Sequence, residues 1–176
     1  MPEQRDSALP RAAPSHSAFS EGVDTGLIGG IVVAVWFLLI DAIAGHPLQT
    51  PSLLGQVVLF GDSTPDTGRL VFGAIVLYTA FHFLVFAIIG VGVTALVHLA
   101  VRDAVARYAL LPVFLAFEVM FYGLLEVLSE GTNELFPFWA VVGANTLAAL
   151  AMGTYLWRRH PELGRSVRET PLGAAP

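Results

Sequence analysis

From Thr25 to Gly45 the chain reads TGLIGGIVVAVWFLLIDAIAG, an apolar run broken by one ionisable side chain, Asp41. About 20 such residues in a helix cover the ~30 Å hydrocarbon core of a bilayer. A helix of a soluble domain instead carries a polar face. Comparable runs follow at 70–100, 108–128 and 135–157. Composition agrees, with 13% charged residues against roughly 25% in soluble domains. The expected fold class is therefore all-α: a membrane four-helix up-down bundle.

The lengths of the segments refine this plan. The second run needs about 46 Å in helical form, so it must tilt or protrude. Pro112 falls in the first turn of the third run, where proline is tolerated. Pro51–Gly61 (PSLLGQVVLFG) is apolar but too short to span. Residues 51–60 are read as a short interfacial helix, or a re-entrant turn, in the first outer loop. The chain then divides into a disordered cytoplasmic tail over 1–22, a four-span transmembrane bundle over 23–160, and a second disordered cytoplasmic tail over 161–176. The N-terminal stretch lacks an apolar run of signal-peptide length. Gly26-x-x-x-Gly30 and the series Ala144, Ala148, Ala149, Gly153 are small faces suited to close helix packing.

Arginine supplies every basic side chain, for there is no lysine. Arg5, Arg11, Arg102, Arg107, Arg158, Arg159, Arg165 and Arg168 fall on one side of this topology, and Arg69 alone on the other. The positive-inside rule then puts both termini in the cytoplasm, in a plasma (inner) membrane. A net charge of −5 offers no surface for nucleic acid. The lack of cysteine excludes disulfides, thiolate metal sites and Fe–S clusters. The expected partners are the lipid bilayer and either another membrane protein or further copies of the chain.

Ionisable groups in a bilayer cost about 2.5–3.5 kcal/mol each on insertion scales, so each needs a partner or a purpose. His82, Glu118 and Asn145 fall near mid-depth. Tyr78 lies one turn from His82, and Tyr122 one turn from Glu118, giving two polar stripes that would meet if the spans pack side by side. The expected contact is His82 with Glu118, either as structural glue or as part of a proton, cation or small-ligand site. A second cluster, Asp41, His46 and Glu126, lies toward the outer end and could offer carboxylate and imidazole ligands to a metal. His98 and His160 read as headgroup-level residues. Haem is not expected: His82 and His98 share one helix and point about 160° apart. No cofactor is assigned, and no serine elbow, HExxH or P-loop occurs.

The strings YTAFHFLVF (78–86), FEVMFYGLL (117–125) and MGTYLWRRHP (152–161) resemble a group of small four-span bacterial membrane proteins, a resemblance that implies four spans and no activity. Three functional readings stay open. The first is a non-catalytic membrane protein, as an accessory subunit of a larger complex. The second is a proton- or cation-conducting or small-ligand-binding module centred on His82 and Glu118. The third is an intramembrane enzyme acting on a lipid or quinone.

Overall fold

The computed structural model describes residues 18–102, 112, 115, 119 and 137–161. Three long helices are described: α1 over Ala18–Ile43, α3 over Phe72–Arg102 and α4 over Phe138–Arg159. A short helix α2, Gln49–Leu54, lies between α1 and α3 and widens into a π-helical turn over Gly55–Leu59. The three long helices are long and apolar enough to cross a membrane. Large apolar side chains such as Ile31, Leu39, Leu84, Ile88 and Leu150 are exposed on them. A helix apolar all round, with its Leu and Ile facing outward, has hydrocarbon and not water as its natural solvent.

α1 is the central helix. It packs chiefly on α3 and next on α4, while α3 and α4 meet each other in a small buried cluster of Val97, Ala100 and Leu156 near their ends. Both contacts are antiparallel. Glu21 near the start of α1 meets His98 near the end of α3 and His160 at the end of α4. At the other end, the Trp36 indole Nε1–H donates to the Ala140 carbonyl at 2.9 Å. α3 and α4 are therefore parallel, and residues 103–136 connect the end of one to the opposite end of the other.

Small residues set the closest approach. A Cβ on Gly26 would collide with the Phe86 carbonyl and the Ala87 Cα, and one on Gly90 with the backbone of Gly22 and Gly26. Without a water-driven hydrophobic term between lipid-embedded helices, such backbone proximity is a main source of association. The α1–α4 contact uses Ala144 and Ala148, both buried, against Val33. Gly153 does not belong to this face, because among the described residues nothing lies within 4 Å of the place its Cβ would take. At 100° per residue it has rotated off the Ala144–Ala148 stripe.

Helix boundaries depart from expectation mainly at the start. Residues 18–22 are helical and not tail, and Gly22 packs against Val91. The polar appearance of this stretch concealed a helix whose first turn carries Glu21, favourably placed for the helix dipole. The third expected span, 108–128, lies almost wholly outside the described residues.

The segment read as an interfacial helix is helical over 49–59 and packs on the start of α3, Gly55 against Ala74. Its buried polar residues tie down the loop that follows. The Ser52 hydroxyl accepts from the Val71 N–H at 3.0 Å, and Gln56 Oε1 accepts from the Asp66 N–H at 2.9 Å. Eleven residues at helical rise cover about 16 Å, half a hydrocarbon core.

Candidate functional site

Among the described residues two polar centres stand out, toward different ends of α3. The first gathers three of the residues singled out from sequence. Tyr78 and His82 of α3 and Asn145 of α4 line one cavity of about 300 Å³. Val33 and Phe37 of α1, Leu54 of α2, and Val85 and Phe86 of α3 contribute apolar wall. Tyr78 and His82 share a helix face because they are four residues apart. Their rings stand 6.0 Å apart, and the imidazole also contacts Phe83 and Phe86.

His82 has a partner on α1. Its Nε2 lies 3.0 Å from the Gly30 carbonyl oxygen, which can only accept, so Nε2 carries the proton. That carbonyl is reachable because Gly30 has no side chain; a Cβ there would press on Phe83 and Phe86. The expected His82–Glu118 contact lies outside the described residues, as do Tyr122 and Glu126.

Asp41 and His46, expected to form an outer cluster with Glu126, do different things. Asp41 is buried, and its two oxygens accept from the Thr50 N–H and the Thr50 hydroxyl, each at 2.7 Å. A carboxylate thereby holds the first turn of α2, whose N–H groups lack helical partners, against the end of α1. His46 lies exposed in the intervening turn.

The second centre was not foreseen. Glu21 Oε1 accepts from His160 Nε2 at 2.9 Å, and Glu21 Oε2 from His98 Nε2 at 3.2 Å. The carboxylate is only 11% exposed, against 19% for His160 and 37% for His98. The two imidazoles meet edge to face, their centroids 4.8 Å apart. Just below them the Thr25 hydroxyl donates to the Glu21 carbonyl at 2.7 Å and accepts from the Thr94 hydroxyl at 3.3 Å. Both threonines are fully buried. His98 and His160 are thus not independent headgroup-level residues but the two arms of one cluster. Their shared depth, at the ends of two spans leaving the same side, was the available signal. Glu21 was missed because it stood in a stretch read as tail.

Helices of this length and outward apolarity define a helical membrane protein. No protein-family model, curated protein or solved structure matches the chain.

Proposed function

We propose that the chain is a non-catalytic, multi-pass protein of the plasma membrane that binds a small, mostly apolar molecule among its spans. The observation that carries this reading is the cavity holding Tyr78, His82 and Asn145 together. An apolar pocket with a few convergent polar groups is the usual form of a ligand site. The Tyr78 hydroxyl offers a donor and an acceptor to a ligand's polar end, while Val33, Phe37, Val85 and Phe86 suit a hydrocarbon portion. An acyl or isoprenoid lipid tail has that chemistry. The same site serves an accessory subunit that presents a bound lipid to a larger complex.

The topology proposed with it has four spans. Support for it comes from α3 and α4 ending at one level, beside Glu21, since a fourth span between them would carry the chain back to the start of α4. The apolar stretch 108–128 is long enough for that passage. The arginine distribution supports cytoplasmic termini, and α2 with its π turn then lies at the outer interface.

The test is purification of the full chain in nanodiscs, followed by lipid extraction and mass spectrometry. Ala34 lines the cavity from an exposed position, so Ala34→Trp fills it without touching the packed core. The parent is expected to retain a stoichiometric lipid-derived molecule that the variant loses at unchanged melting temperature. Equal retention by both, or none by the parent, rejects the reading.

A further inference from the structure

We propose that Glu21, His98 and His160 form a binding site for one divalent first-row transition ion, of the class for which zinc is the simplest member. One ligand atom from each side chain lies within 4.8 Å of the others. A tetrahedral ion with bonds of about 2.0–2.1 Å holds its ligand atoms roughly 3.3–3.5 Å apart. The Glu21 oxygens already stand 2.9 and 3.2 Å from the two Nε2 atoms. Those contacts run to different carboxylate oxygens, and drawing three donor atoms that lie within 4.8 Å of one another onto a tetrahedral ion takes at most about 1.5 Å of side-chain movement.

The donor set selects the ion. Two imidazoles and one carboxylate suit zinc and its neighbours, whereas calcium and magnesium ask for oxygen alone. Neutral imidazole can carry its proton on either nitrogen. To bind the ion, each ring holds its proton on Nδ1 and presents the Nε2 lone pair.

Three protein ligands leave a fourth position to water, the pattern of open sites. The field is also suitable. The partial negative charge of two helix C-termini, those of α3 and α4, favours a cation here and outweighs the single positive N-terminus of α1, while Arg158 and Arg159 of the last turn are exposed. A single carboxylate, largely buried, brings the remaining charge. The ligands come from three different helices, so the ion would join the ends of α1, α3 and α4, beside the buried Val97, Ala100 and Leu156 through which α3 and α4 already meet.

The test uses the full chain in nanodiscs, with any affinity tag removed and zinc ion alone as probe. Isothermal titration should find one equivalent bound. Glu21→Gln, His98→Asn and His160→Asn should each weaken binding at least about tenfold, since even outer-shell losses at metal sites cost 10–100-fold. His46→Asn, altering an exposed histidine away from the cluster, should bind as the parent does. Copper(II) bound to the unsubstituted protein should show hyperfine coupling to two imidazole nitrogens, a readout that needs no variant to fold. Absence of zinc binding by the folded parent overturns the site, as does unchanged affinity in the Glu21 and His98 variants. A copper spectrum without two nitrogens overturns it equally.

Discussion

Glu21 and His160, 139 residues apart in sequence, meet at 2.9 Å between side-chain atoms. The start of the first helix and the end of the last therefore lie on one side. With no cysteine in the chain, single cysteines at Phe19, Ser63 and Pro161 can be labelled cleanly with an impermeant maleimide in sealed vesicles. The variants at 19 and 161 should react from the same side and the one at 63 from the other. Opposite reactivity at 19 and 161 would contradict the arrangement of α1 and α4.

Gly26→Ala and Gly153→Ala form a matched pair. The first new methyl meets backbone of α3, which no rotamer change relieves, while the second meets none of the described residues. Gly26→Ala should destabilise by at least about 1–3 kcal/mol, the usual cost of overpacking. Gly153→Ala should stay within about 0.5 kcal/mol of the parent. Thermal unfolding in detergent distinguishes them, and an equal response would show that α1 and α3 do not cross at Gly26.

Asp41 holds the first turn of α2. Asp41→Ala leaves the buried Thr50 N–H and hydroxyl without their acceptor and should cost about 1–3 kcal/mol. Asp41→Asn retains one acceptor oxygen and should cost less. Melting curves of the two variants in the same detergent should rank in that order; an Asp41→Ala variant as stable as the parent would contradict the assignment.

Trp36 joins α1 to α4 in two ways, through its indole N–H to Ala140 and through ring contact at Gly143. Trp36→Phe removes the hydrogen bond and should cost about 0.6 kcal/mol, the average for such bonds in membranes. Trp36→Ala also opens a cavity and should cost about 3–5 kcal/mol. Unfolding midpoints resolve the difference. If Phe is as damaging as Ala, the hydrogen bond and not the packing dominates this contact.

What the sequence determined by itself is what depends on neighbours within one helix. The apolar part of α1, α3 and α4 was legible because crossing a hydrocarbon layer requires about 20 apolar residues in a row, a local property, whereas the polar first turns of α1, from Ala18, were not. The short helix at 49–59 was legible for the complementary reason, being apolar yet too brief to cross. Tyr78 and His82 could be placed on one face from their spacing alone. Which polar group meets which was decided by the tertiary structure. His82 turned to the Gly30 carbonyl because glycine leaves backbone accessible at that crossing. Asp41 found Thr50 because a left-handed residue, Leu48, turns the chain back toward the end of α1. Glu21, His98 and His160 converged because antiparallel packing of α1 with both α3 and α4 brings three helix ends to one level. Hydropathy fixes the depth of a residue in a helix, but the rotation of that helix and the identity of its neighbour follow from side-chain packing across the contact.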